Sequence, residues 1–417
     1  MRSKSLSTLN ENQKTKRKSV LMIGTGGTIV CEATENGLAL LRNDTFFRRI
    51  RQHPLLTSPS STPPQPCTPM TLSQNASSYI PLADVSWSSP VYVQTLGKNT
   101  KYPKLVTPEL DEEGRDVEYE ILVLDTYMDS SEMTPAEWNT IASLLHENYT
   151  QYDGFVVLSG TDTLAYTASI LSFLFHPISK PILITGAQIP LSKPRSDGWS
   201  NILDSLFVAG VLGCRGVGIV FNHQLLSGTR TTKTSPNHFK AFTSPCVLPL
   251  VDLNVKITMD PTVSTSLSSV PSTSMLPPPL IPLITAPTVL SIHIYPGFSG
   301  QLLSAQIAAV PTCRAVILSA YGGGHLPLDL GNGVLDALKQ MVHKEVLVVV
   351  ISQCAIPNVY PLYAQGRTLL EAGVLPGYDL THEAAFAKLL WLVSRTDLTF
   401  KDRQQLFEQP IVGEMTV

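Results

Sequence analysis

The chain has 417 residues, of which 43% are hydrophobic and 15% charged, with a formal net charge of −3. Such a length is expected to divide into two or three domains with a sizeable core. The slightly acidic balance argues against a general nucleic-acid binder, which needs a basic face. Six cysteines, at 31, 67, 214, 246, 313 and 354, form no CxxC and no paired spacing with histidine. Neither a zinc site nor a disulfide framework is therefore expected, and a reducing compartment fits.

Residues 1–18 are polar and basic without the apolar centre of a signal peptide, so a solvated tail is expected there. No apolar run is long enough to span a bilayer. These features predict a soluble, cytoplasmic protein without membrane attachment.

Val20–Ile23 reads as a first buried strand, followed by the glycine-rich turn Gly24-Thr25-Gly26-Gly27-Thr28. A dinucleotide fingerprint fails here, because its last glycine would fall on Ile29. What remains is a turn of close backbone approach with an exposed Thr28 hydroxyl. The stretch from about 57 to 117 opens with a run rich in proline and serine and reads as a long, partly disordered insertion. Glu118–Leu124 restores a strand that runs into Asp129-Ser130-Ser131. Thr134-Pro135-Ala136-Glu137 has the pattern of a capping box with proline at the first helical position, and Trp138, Ile141, Leu144 and Leu145 continue it as a helical stripe.

Phe155–Leu158 is apolar without alternation, as a strand buried on both faces of a parallel sheet should be. The knot Ser159-Gly160-Thr161-Asp162-Thr163 then leads into a helix, which Asp162 or Thr163 is expected to cap. Pro181–Gly186 and Gly216–Phe221 are further strands, separated by a helix over 196–213 with Ser196 or Asp197 as its cap. Residues 261–287, rich in proline, serine and threonine, read as a linker. A second, shorter βα series follows. The predicted fold is α/β in two domains. A larger amino-terminal domain over 19–260, with a mainly parallel sheet and flanking helices, precedes a smaller carboxy-terminal α/β domain over 288–417.

In such sheets ligands bind where strands end and helices begin. The candidates on those edges are Thr28, Asp129-Ser130-Ser131, Thr161-Asp162 and Thr232-Lys233. A threonine hydroxyl is a weak nucleophile that needs a base, and a lysine serves if it is desolvated or crowded by positive charge. Together they suggest acyl transfer or hydrolysis without a metal. The plainer alternatives are helix caps for Thr28 and Ser130 and a solvated loop for Lys233. A Ser-His-Asp site drawing on His223, His238, His293 or His325 is weaker, since Ser159 lacks the glycine two residues earlier that a nucleophile elbow needs.

Taken together, GTGGTI at 24–29, DSSEMTPAEW at 129–138, DGFVVLSGTDTLAYTAS at 153–169, ITGAQIPL at 184–191, RSDGWSN at 195–201 and RTTK at 230–233 resemble the L-asparaginase family, type I cytosolic branch. ISQC at 351–354, YAQG at 363–366 and the final MTV extend the match, which looks like an animal-type catalytic domain without ankyrin repeats. The resemblance implies hydrolysis of L-asparagine, with L-glutamine as a weaker substrate, through a threonyl acyl-enzyme and without a cofactor. It also implies a homodimer or homotetramer. It puts the nucleophile on Thr28 and a second triad on Thr161, Asp162 and Lys233. Substrate contacts fall on Asp129, Ser130, Ser131 and the backbone carbonyl of Ala187. Bacterial relatives carry a tyrosine about ten residues after the nucleophile. Here that place is Leu38, and the resemblance to animal-type members points to Tyr363 as the partner of Thr28. Thr232 and Cys354 match two of three bacterial allosteric positions, while Ser319 stands where the third has arginine. The family also contains a subunit of tRNA-dependent amidotransferases. That reading needs an extra domain and a basic RNA-facing surface, and a catalytically weak regulatory homologue is the other alternative.

Overall fold

A computed structural model describes residues 17–34, 37–40, 43–58, 79–81, 92–96, 99–261, 277–286, 288–329, 331–360 and 364–417. Strand β1 (Lys18–Gly26) runs into a single turn of 3-10 helix at Thr28–Val30. A small hairpin of β2 (Cys31–Thr34) and β3 (Gly37–Leu40) and helix α1 (Asn43–Gln52) follow. Short strands β4 (Tyr79–Pro81), β5 (Tyr92–Leu96), β6 (Asn99–Lys101) and β7 (Leu105–Val106) precede the long β8 (Val117–Met128). Helices and strands then alternate through α2 (Pro135–Asn148), β9 (Gly154–Leu158), α3 (Leu164–Leu174), β10 (Pro181–Thr185), α4 (Gly198–Phe207) and β11 (Gly216–Phe221). Five short strands close this part: β12 (Gln224–Ser227), β13 (Thr232–Lys233), β14 (Phe242–Thr243), β15 (Val251–Leu253) and β16 (Ile257–Met259).

The main sheet has the order β16-β15-β12-β11-β10-β9-β1-β8-β6-β5-β4, with β7 also paired to β8. Its centre, β11-β10-β9-β1-β8, is parallel, and antiparallel strands extend both sides. The sheet is therefore mixed at its margins around a parallel heart. In the parallel heart both faces are buried: Leu21, Ile23, Phe155 and Val157 enter one apolar cluster and Val20, Met22, Val156 and Leu158 the other. That is why these strands read as unbroken apolar runs. Each such side chain contributes roughly 1.5–3 kcal/mol on burial. Within the stretch read as a long insertion between 57 and 117, the described residues add β4, β5 and β6 to the sheet margin, with β6 pairing antiparallel to β8.

A four-stranded parallel sheet, β17-β18-β19-β20, forms the smaller part. Its elements are β17 (Val289–His293), α5 (Gly300–Ala308), β18 (Ala315–Ala320), α6 (Val334–His343), β19 (Leu347–Ser352), α7 (Ala364–Glu371), β20 (Leu375–Pro376), α8 (His382–Ser394) and α9 (Phe400–Phe407). Helix α8 packs on α3, with Phe173 and Trp391 stacked at 5.7 Å and Phe386 edge-on to Tyr166 at 5.6 Å. A polar link crosses the same contact: Tyr166 Oη lies 2.8 Å from His382 Nδ1, and His382 Nε2 lies 2.6 Å from Ser291 Oγ. Burial holds the His382 pKa below its ordinary value, so its ring is neutral at pH 7. Among the described residues, no helix is long and apolar enough to cross a membrane.

Candidate active site

The carboxyl ends of β8, β1, β9 and β10 lie side by side, and each feeds one candidate loop. Two glycines let these loops touch. Gly27, at φ +84°, approaches Gly160 so closely that a Cβ on it would lie 2.3 Å from the Gly160 Cα. Gly160 in turn leaves room for Ser130, whose Oγ would be 2.3 Å from any Cβ added there. Only glycine tolerates both the left-handed φ and the backbone contact. The Thr25 hydroxyl donates to the Leu158 carbonyl at 2.8 Å and ties the ends of β1 and β9 together.

Thr28 opens the 3-10 turn after β1 and is half-buried, and its hydroxyl makes no hydrogen bond to another described residue. Ser130 is buried beside Gly160, while Asp129 and Ser131 are exposed. Asp129 caps the short 3-10 turn Ser130–Glu132, accepting from the Ser131 N–H and the Ser131 hydroxyl, both at 2.9 Å. Thr161 is buried, and Asp162 reaches solvent with its side chain 64% exposed. Lys233 comes from β13, paired to Phe242 of β14, and its side chain is 18% exposed. Its Nζ donates to Thr161 Oγ1 at 2.9 Å and to Asp162 Oδ1 at 2.7 Å. Thr161, Asp162 and Lys233 thus form one hydrogen-bonded unit, built from residues 72 apart in the chain. Lys233 is not on a solvated loop.

Several local expectations change. Neither Asp162 nor Thr163 caps α3: Asp162 is engaged by Lys233, and Thr163, at the cap position, instead donates its hydroxyl to the Ser130 carbonyl at 2.9 Å. Of the two cap candidates for α4, Ser196 accepts from the Gly198 N–H at 3.1 Å, whereas Asp197 sits at the cap position without capping it. The Asp197 carboxylate accepts from the Gln188 and Ile189 N–H groups at 3.0 Å and from Asn201 Nδ2 at 3.3 Å. Asn201 also donates to the Gly186 carbonyl at 3.0 Å. Asp197 and Asn201 therefore hold the backbone on both sides of Ala187, which is itself buried. The capping box of α2 forms as read, with Thr134 accepting from Ala136 and the Glu137 carboxylate accepting from the Thr134 N–H at 2.8 Å. His223 pairs with Asp204 at 2.8 Å and takes no part in the threonine cluster. Tyr363 lies outside the described residues, and Leu38, where bacterial relatives carry a tyrosine, is in β3.

One buried carboxylate at the site was not anticipated. Glu383, in the first turn of α8, accepts from the Thr232 hydroxyl at 2.8 Å, while its other oxygen has no partner among the described residues. From the sequence it reads only as an acidic residue favoured by a helix amino terminus. Its pKa is raised, chiefly by burial, against the opposing pull of its own backbone N–H, the Thr232 hydroxyl and the Lys233 backbone. The folded chain thus binds this proton more tightly than the unfolded chain does. The stability it contributes is present below its ordinary value of 4.5 and is lost as pH rises through the raised value. Glu383→Gln removes that loss. Denaturant midpoints should therefore rise for the variant relative to the native chain as pH increases from 4.5 to neutrality. A difference that stays flat with pH would rule out a buried charge at Glu383.

Among the described residues, no cluster of three or more His, Cys, Asp or Glu is placed to hold a metal ion. The arrangement offers hydroxyls, an ammonium and carboxylates around one sheet edge, which suits acyl transfer to a threonine.

Comparison with known proteins points the same way. Residues 19–264 match the family model "Asparaginase, N-terminal" and residues 288–407 match "Glutaminase/Asparaginase C-terminal domain". L-asparaginase 1 of Escherichia coli K12 is 37% identical over 290 residues, covering 69% of this chain and 82% of that protein. An L-asparaginase of Dirofilaria immitis is 34% identical over 328 residues, covering 78% of this chain. The match spans about half, 54%, of the Dirofilaria protein. The crystal structure of L-asparaginase I from Vibrio cholerae superposes with a TM-score of 0.71 at 30% identity, covering 96% of this chain and all of that one.

Proposed function

The chain belongs to the asparaginase family, and from that premise we propose that it is a type I L-asparaginase, hydrolysing L-asparagine to L-aspartate and ammonia. The observation that carries this reading is the contact of Lys233 with both Thr161 and Asp162, beside the loop of Thr28. In the proposed reaction the Thr28 hydroxyl attacks the side-chain amide carbon of asparagine and passes its proton to a base, with Tyr363 as its partner. Backbone N–H groups near Thr28 and Thr161 stabilise the tetrahedral oxyanion. The C–N bond breaks, ammonia leaves with that proton, and an ester to Thr28 remains. Water, positioned by Thr161 with Lys233 and Asp162, then attacks the ester and releases aspartate. Ser130, with Asp129 and Ser131, holds the substrate's α-carboxylate and α-amino group. Asp162 also meets the ammonium, and the Ala187 carbonyl accepts from the side-chain amide.

The close approach of Gly27, Gly160 and Ser130 supports this assignment, because it brings the nucleophile loop and the α-substituent loop against one residue. We propose that the chain works in the cytoplasm as a homodimer or homotetramer. The decisive assay is ammonia release from millimolar L-asparagine, with L-glutamine in parallel. Release should be seen with asparagine and be slower with glutamine. A protein that releases ammonia from neither refutes the enzyme reading.

A further inference from the structure

The short segment that carries Lys233 is held mainly from outside its own sheet. Arg230 precedes Lys233 by three residues and is only 5% exposed. Its guanidinium makes a two-pronged contact with Asp379, Nη1 to Oδ1 at 2.9 Å and Nη2 to Oδ2 at 2.8 Å. It also donates to the Glu414 carbonyl at 2.8 Å and to Thr416 Oγ1 at 3.0 Å. The Thr416 N–H closes the ring on Asp379 Oδ1 at 2.7 Å. Beneath this cluster Glu414 forms a wholly buried ion pair with Lys388 at 2.5 Å and accepts from the Val412 N–H at 2.8 Å. The final described segment is thereby fixed to α8.

A planar guanidinium with four filled acceptor contacts has one orientation, so the backbone at 230 has little freedom. One residue beyond, Thr231 donates to the Ser227 carbonyl at 2.6 Å, and Thr232 donates to Glu383. Lys233 then emerges from a strand of only two residues. Two strand residues do not by themselves fix a side chain that must meet Thr161 at hydrogen-bond distance.

We propose that Arg230, Asp379 and Thr416 form a clamp whose task is to position Lys233 against Thr161. None of the three is assigned contact with substrate; they are positioning residues that act through the lysine. The inference rests on the reading of Lys233 as the group that serves Thr161. It adds that residues of the smaller part of the fold, 149 and 186 positions beyond Arg230, set the geometry of that group.

Asp379→Asn and Thr416→Val test the clamp, the second at an exposed position whose loss leaves the core intact. Each variant is measured alone and combined with Lys233→Met. Asp379→Asn should lower kcat for ammonia release about tenfold, the scale of one charge-assisted hydrogen bond, with KM within about twofold. In the Lys233→Met background the same change should cost less than about twofold, because a residue that acts through another has no further effect once the other is gone. Amide hydrogen exchange over residues 228–234 should quicken in both variants while β9 stays protected. Effects that multiply in the double variant, or exchange over 228–234 that matches the native chain, overturn the clamp. Should Asp379→Asn fail to fold, Thr416→Val alone decides by the same readouts. A native chain that releases no ammonia instead refutes the functional reading, and the exchange result then still decides whether the clamp holds the segment.

Discussion

Thr28→Ala lowers the rate of ammonia release from L-asparagine by at least ~100-fold, the scale of removing a nucleophile from a covalent mechanism. The expectation comes from position. Thr28 stands at the carboxyl end of the central strand β1, half-buried, with a hydroxyl that no described residue occupies. Thr161 is the competing nucleophile, but its hydroxyl already accepts from Lys233. The substitution removes a hydroxyl and a methyl group from a turn already set by Gly27, so thermal stability should hardly change. Mass spectrometry separates the two threonines. During turnover an aspartyl adduct should appear on the peptide holding Thr28 in the native chain and vanish in the variant. An adduct on the Thr161 peptide, or a variant within tenfold of native, would reverse the assignment. Tyr363→Phe belongs in the same experiment, since a tyrosine that takes the Thr28 proton should slow formation of the adduct rather than its breakdown.

Lys233→Met should also cost at least ~100-fold, for a different reason. Methionine keeps most of the length and apolar stem but removes the ammonium that bridges the side chains of Thr161 and Asp162. Asp162 is largely exposed, so its carboxylate returns to water and little stability is lost. The loss should therefore fall on kcat while the melting temperature stays near that of the native chain. The step affected also differs. If Lys233 serves the water that opens the ester, the adduct on Thr28 should accumulate in Lys233→Met, whereas it never forms in Thr28→Ala. A Lys233→Met enzyme with near-native kcat would return the lysine to the status of a surface ion pair.

How much of this was legible depended on the range of the interaction. Strands β1 and β9 announced themselves because their two faces enter two apolar clusters, which leaves no polar alternation to confuse the pattern. The start of α2 was legible because a capping box is local. Asp162, Thr163 and Asp197 were misleading for the same reason. Each occupies a place where a local rule assigns a cap, yet each is claimed by a partner from elsewhere in the fold. Glu383 and Arg230 were harder still. One resembles an ordinary first-turn acid and the other one basic residue in a polar loop, and only the tertiary fold sets them against Thr232 and Asp379. The resemblance to a known family pointed to the candidate residues, while the groups that hold them in place had to be read from the three-dimensional packing.

The clamp on Arg230 also bears on how the protein is made. Lys233 leaves the ribosome about 180 residues before Thr416 does. At typical synthesis rates that is a delay of roughly 10–40 s. Through that interval the larger sheet can pair its strands, and Thr161 can lie next to Asp162, while Arg230 still lacks Asp379 and Thr416. The nascent chain therefore carries every member of its threonine cluster well before it carries the groups that order one of them.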